Sequence, residues 1–258
     1  MYAIARPTGL YLPKRPSTVV FVKPNLRVSR GDAPDRIKTF EDRHQTIGPL
    51  LCIASIQYFL IQFVVALPWS PPYSVSRNTI SDLGVTMCGS FNNRYVCSRL
   101  HVVMNLSLVL LGVTMVAACV LLRRHFLTAR SRWLTFAFYL VGIGGVGVMI
   151  AGIFPEDSVP FLHGVGAALP FLLGNIGVVV FGVSLPAPLA FRLGTLISGT
   201  TALTALMFYA TGHFLGLGQG GMERVVAYPQ TIWLIAFGIY LLTNITDSPT
   251  GDNRRNLH

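Results

Sequence analysis

The chain has 258 residues, 52% hydrophobic and only 12% charged, with a mean hydropathy of +0.57. Soluble domains carry roughly 25% charged residues, so this composition excludes an ordinary soluble globular protein and points to the membrane. Lys and Arg total 20 against 10 Asp and Glu, a formal charge of +10. The cations lie between apolar runs and the aromatics inside them, which indicates membrane topology and excludes a nucleic-acid groove.

Residues 1–45 are basic, with prolines and little helical periodicity. They lack the apolar core and small-residue cleavage site of a signal peptide, and read as a largely disordered cytoplasmic tail able to lie on anionic lipid heads. A first span is predicted over 47–68, about the 20 residues that a bilayer requires. Gln57 and Gln62 should face inward, with Trp69 as an interfacial anchor.

A longer loop, 70–99, carries Cys88 and Cys97. They are placed for a disulfide if this side meets an oxidising compartment, and are free thiols otherwise. Cys52 and Cys119 lie inside apolar runs as packing residues. Ser81 and Asp82 read as a helix start, Ser81 as cap and Asp82 near the positive dipole end. A direct functional role for Asp82 is the alternative.

The second span is predicted over 100–122, with His101, Asn105, Leu108 and Gly112 on one face. An arginine-rich turn leads to the third span, 133–154, whose Gly142, Gly144, Gly145, Gly147 and Gly152 suit close helix packing. The hairpin over 152–170 places Glu156, Asp157 and His163 at the membrane surface in a chain poor in charge, which makes it the leading candidate for a functional centre. The fourth span, 163–185, contains Pro170, a potential kink, and Asn175. The fifth is predicted over 193–215, with His213 near its end. The glycine-rich stretch that follows carries Glu223 and Arg224 but lacks the features of a phosphate-cradling loop. The sixth span is predicted over 230–242, or from 223.

Six spans put both termini on one side, and sixteen of the 20 Lys and Arg fall there, against Arg77, Arg94, Arg99 and Arg224 on the other. The positive-inside rule therefore places both tails in the cytoplasm and the loop with Cys88 and Cys97 outside. Ser81, Asp82, His101, Asn105, Asp157, His163, His213, Glu223 and Arg224 then gather at the outer surface. One reading is a pocket for a lipid or other amphiphile. A second is zinc held by His101, His163 and His213 with Asp82 or Asp157, activating water against ester or amide bonds; no HxxxH or HExxH spacing supports it. A third is structural, with salt bridges from Glu223 or Asp157 to Arg224 and histidines bonded at helix ends. Transport lacks both an internal repeat and a midplane charge.

The segments SRNTISDLG, FPEDSVPFLHGVGA and GGMERVVAYPQTIW resemble the prokaryotic family catalogued as domain of unknown function 998. More distantly, ISDLG after the first span and a His followed by Gly and Ala in the fourth resemble DRAM and Sfk-type six-span proteins. The nearer resemblance implies a six-helix membrane protein over 46–245, with Ser81, Asp82, Asp157, His163, Glu223 and Arg224 as its marked residues, and implies no reaction. The distant group is associated with lipid organisation and trafficking, which favours lipid handling by analogy.

Together these readings give an all-α, six-span plasma-membrane protein with both termini cytoplasmic. A basic tail (1–45), a six-helix domain (46–245) and a C-terminal tail (246–258) make up the chain. The expected function is non-enzymatic lipid association, with a metal-dependent lipid hydrolase as the alternative. No cofactor is assigned, membrane lipids are the expected partners, and protein partners and oligomeric state stay open.

Overall fold

A computed structural model describes residues 46–126 and 131–246. The basic tail and nearly all of the C-terminal tail lie outside the described residues.

Among the described residues, six helices are long and apolar enough to cross a membrane: α1 (Thr46–Ala66), α2 (His101–Phe126), α3 (Arg132–Ile153), α4 (Pro160–Ser184), α5 (Leu189–Ala210) and α6 (Gly218–Thr246). Local chemistry sets several of their ends. Ser131 caps α3 by accepting the Leu134 N–H at 3.3 Å, and Pro160 starts α4 where a missing N–H costs nothing. At Leu169–Gly174, α4 opens into a π-turn around Pro170. Proline cannot donate to the preceding turn, and a π-turn absorbs that break while the helix continues.

Helix α3 is the central packing element. A Cβ on Gly112 would lie 2.4 Å from Gly145 O, and one on Gly147 would lie 2.5 Å from Gly166 O. Glycine is thus required for α2 and α4 to approach α3 closely, as the glycine run predicts; Gly142 alone of that run has room for a side chain. Below this contact, Phe138, Phe181, Trp233 and Phe237 form a buried aromatic stack with neighbouring centroids 4.7–5.7 Å apart. Cys52 and Cys119 are buried packing residues, as expected. Gln57 bonds Ser107 and Gln62 accepts from Tyr228, so both glutamines face the interior.

Several sequence expectations need correction. Helix α5 runs four to five residues earlier than predicted, because the chain turns at Gly212 and Gly216, with φ of 73° and 80°. Helix α6 begins at Gly218, so the glycine-rich stretch is mostly its first turns and not a loop. Gly220 lies hard against the loop between α1 and α2, where a Cβ would sit 2.0 Å from Asn78 O. Trp69 is buried against Tyr73 and is not an interfacial anchor.

The loop between α1 and α2 is not all irregular. It forms a short 3₁₀ turn (Ser81–Gly84) and an antiparallel hairpin, β1 (Cys88–Phe91) and β2 (Arg94–Cys97). Asn92 and Asn93 turn it with φ of 47° and 60°, the positive values that a two-residue hairpin turn demands and asparagine tolerates. Cys88 pairs with Cys97 in register, and a disulfide joins them.

Candidate functional site: a clasped loop above a cavity

An irregular segment packed on a helix bundle has backbone groups with no ladder to join, and each must find another partner. Here the partners are polar side chains at the helix ends. Arg224 of α6 donates from Nη1 to Val75 O, Asn78 O and Gly220 O at 2.8–3.0 Å, and from Nη2 to Tyr73 OH. Tyr73 OH in turn donates to Thr79 O at 2.6 Å. Glu223 Oε2 accepts the Ile80 N–H at 2.5 Å. Asp157 Oδ2 accepts the Thr86 and Met87 N–H groups at 2.8 and 3.0 Å. Asn105 of α2 donates to Gly84 O at 2.9 Å.

The expected salt bridges of Glu223 or Asp157 with Arg224 do not form. Among the described residues, the ion pairs are those of Arg94 with Asp82 and Glu156. Arg224 binds carbonyl and phenol oxygens because the loop backbone offers them at closer range.

Asp82 anchors the hairpin. It is fully buried and takes a two-pronged contact from Arg94, Nε to Oδ2 at 2.6 Å and Nη2 to Oδ1 at 2.7 Å. Oδ2 also accepts the Thr79 N–H at 3.0 Å, while Thr79 Oγ1 accepts the Asp82 N–H at 3.0 Å. This reciprocal pair makes Thr79 the capping residue, not Ser81. The signal was the Thr-x-x-Asp spacing of a capping box. Arg94 was absent from the expected site residues, and Glu156 was expected only as part of the 152–170 hairpin. No local pattern points from Arg94 to an acid twelve residues earlier, since the hairpin fold is what brings them together.

Opposed electrostatics run through this group. Burial works to raise the Asp82 carboxyl, but hydrogen bonds from Arg94 and Glu156 outweigh it and hold the group below its ordinary value. Burial, then the bond to Asp82 and its charge, push Glu156 up to about 9 from 4.5. Arg94 Nη2 is 3.9 Å from Glu156 Oε1, too far for a strong bond. Between pH 4.5 and about 9 the unfolded chain therefore releases a proton that folded Glu156 keeps, and stability falls as pH rises through that window. Asp82 acts oppositely, stabilising above its unfolded value of 3.8 and losing that contribution in acid. Glu156→Gln, neutral at every pH, should flatten the alkaline decline. We expect it to melt at least about 3 °C above wild type at pH 8.5, an effect of about 1 kcal/mol, with little difference at pH 5, as read by thermal unfolding in detergent.

Beneath the clasp lies a cavity of about 60 Å³ between α2, α3, α4 and α6. Its outer end is polar, formed by Ser81, His163 and Glu223, and its walls are apolar, including Leu108, Leu111, Val148 and Phe171. Gln230 and Thr231 form the inner end, seven residues or about 10 Å along α6 from Glu223. Ser81 does not cap a helix; its Oγ lies 2.9 Å from His163 Nε2 and 3.3 Å from Glu223 Oε1. His163 Nδ1 lies 3.1 and 3.0 Å from the carbonyls of Ala151 and Phe154. Gln230 is buried, and its side-chain Nε2 has no hydrogen-bond partner among the described residues. The sequence reading missed Gln230; its signal was a lone amide after Pro229 in an apolar run.

Of the expected site residues, Ser81, His163 and Glu223 meet at the cavity, while Asp82, Asn105, Asp157 and Arg224 hold the loop above it. His101 bonds Ser98 O, and His213 is exposed and bonds Thr211. The structure therefore does not bring together the three candidate zinc ligands, and no group of three or more His, Cys, Asp or Glu among the described residues could hold a metal ion. No curated protein and no solved structure matches the chain. The model of the family described as protein of unknown function (DUF998) matches residues 52–240, from α1 to α6. Matched over most of its length, and with six helices able to span a membrane, the chain is a multi-pass membrane protein that belongs to the DUF998 family.

Proposed function

We propose that this is a lipid-associated protein of the plasma membrane, with both termini cytoplasmic, whose outer cavity receives part of an amphiphile. The observation that carries the reading is the buried, unpartnered Gln230 amide at the end of an apolar cavity with a polar mouth. An orphaned buried donor costs about 1–3 kcal/mol, and a ligand carbonyl or hydroxyl would satisfy it. At about 10–15 Å³ per water-sized group, the cavity accepts about four to six such groups, which suits the tip of an amphiphile and not a whole lipid. The excess of positive charge on the terminal side supports the orientation, as does a disulfide on the opposite side. The metal-dependent alternative has no support in the placement of the three histidines.

Native mass spectrometry of protein released from mild detergent tests the reading. Wild type should retain an acyl amphiphile, and Gln230→Leu should retain markedly less. After delipidation the variant should be more stable than wild type by about 1–2 kcal/mol, since it no longer buries an orphaned donor. Equal retention by both proteins, or none by wild type, would count against it.

A further inference from the structure

We propose that Ser81 and His163 form a nucleophile–base pair that takes an acyl group from a carboxylic ester at the outer mouth of the cavity. The proposal rests on the reading above, that the cavity receives an acyl amphiphile, and adds a reaction to it.

The contacts of His163 and Ser81 fix where their protons lie. His163 Nδ1 faces two carbonyl oxygens, those of Ala151 and Phe154. A carbonyl can only accept, so Nδ1 carries the ring hydrogen and donates it. In the neutral ring, Nε2 is then an unprotonated acceptor aimed at Ser81 Oγ, 2.9 Å away. The hydroxyl has one hydrogen and two acceptors, and its shorter contact is to the histidine, since Glu223 Oε1 lies at 3.3 Å. A nucleophile in hydrogen-bond reach of a base, with the base fixed by a further group, is the arrangement that activates serine. Both backbone contacts come from the α3 end and the turn after it, so the ring is held by rigid structure. A merely structural Ser–His tie needs no adjoining cavity, yet Ser81 and His163 both line this one.

The reaction closes with water as the sole co-reactant. Ser81 Oγ bonds to the ester carbonyl carbon as its proton passes to His163 Nε2. The bond from that carbon to the alcohol oxygen breaks, and His163 returns the proton to the departing alcohol. Water then attacks the acyl-Ser81 ester, giving a proton to Nε2. The carboxylic acid leaves as Ser81 Oγ takes that proton back.

The test uses the full chain in mild detergent with an alkyl fluorophosphonate, followed by peptide mapping. Attack by Ser81 Oγ forms an O–P bond and expels fluoride. We expect one adduct, on Ser81 of wild type, and none on Ser81→Ala. His163→Gln should label at least about 100-fold more slowly, the range for loss of a general base, and hydrolysis of 4-nitrophenyl butyrate should fall in parallel. Because the adduct is mapped on wild type, a variant that fails to fold does not blunt the test. Folded wild type that retains lipid but takes no adduct at Ser81 would overturn the reaction and leave the lipid reading intact. An adduct at Ser81 on protein that retains no lipid would keep the reaction and remove the lipid reading. Labelling of folded His163→Gln at the wild-type rate would remove the histidine as base and with it the proposal.

Discussion

Replacing Arg224 by Met should lower the melting temperature on the order of 10 °C, more than any other single change around the clasped loop except one at Asp82. The methionine fills similar space in α6 but offers no donors. Arg224 is buried and serves three carbonyls and one phenol. At least Val75 O and Asn78 O lose this guanidinium donor where the loop meets the bundle. At about 1.5–3 kcal/mol for each hydrogen bond to a charged group, these two bonds account for roughly 3–6 kcal/mol, and a domain of this size melts about 2–4 °C lower per kcal/mol. Arg224→Lys should recover only part of the loss. One ammonium on a flexible stem cannot reproduce a planar fork that reaches the loop backbone and Tyr73 together.

Asp82→Ala should be of similar severity, at about 3–5 kcal/mol, the usual cost of removing one partner from a buried ion pair. The Arg94 side chain is 12% exposed and the Asp82 side chain 0%, so neither can turn to water when its partner goes. The remaining acid, Glu156, is 3.9 Å from Arg94 Nη2, too far to replace the two-pronged contact. The Thr79 N–H also loses its acceptor, which opens the 3₁₀ turn that presents Ser81. In a cycle with Arg94→Met, the double variant should be less destabilised than the sum of the two single ones, with a coupling of roughly 1–3 kcal/mol. Additive losses in chemical or thermal unfolding would contradict the pairing.

The bundle was legible because a membrane imposes simple rules. Five apolar runs of bilayer length and a shorter sixth became six helices, and the glycines of the third run became its contacts with α2 and α4. The disulfide followed from two cysteines in a polar loop. Element ends were less legible where a residue's usual meaning was overridden by packing. Gly218 to Gly221 read as a loop, yet they open α6, because only glycine at position 220 lets the helix lie on Asn78 O. Trp69 read as an interfacial anchor, but a loop folded over the bundle buries it. The polar cluster was legible as residues and not as roles. Its acids and Arg224 read as ion pairs with one another, whereas most of them serve the loop backbone, a demand visible only once the loop is seen to be irregular and packed. The Ser81–His163 contact spans 82 positions, beyond the reach of any local pattern. The same holds for Arg94 and Asp82, which share no helix and meet only through the hairpin.

Side chains at the helix ends clasp this loop as firmly as a helix clasps its own backbone. Hydrogen exchange across residues 73–87, in wild type and in Arg224→Met, tests it most directly. The amides of Thr79, Ile80, Asp82, Thr86 and Met87 all donate to side-chain oxygens. We expect them to exchange as slowly in wild type as the first turns of α2, and to lose protection selectively in the variant while α3 keeps its own. Complete exchange of these amides within seconds in wild type would show the loop to be unclasped, and the cavity to have no fixed mouth.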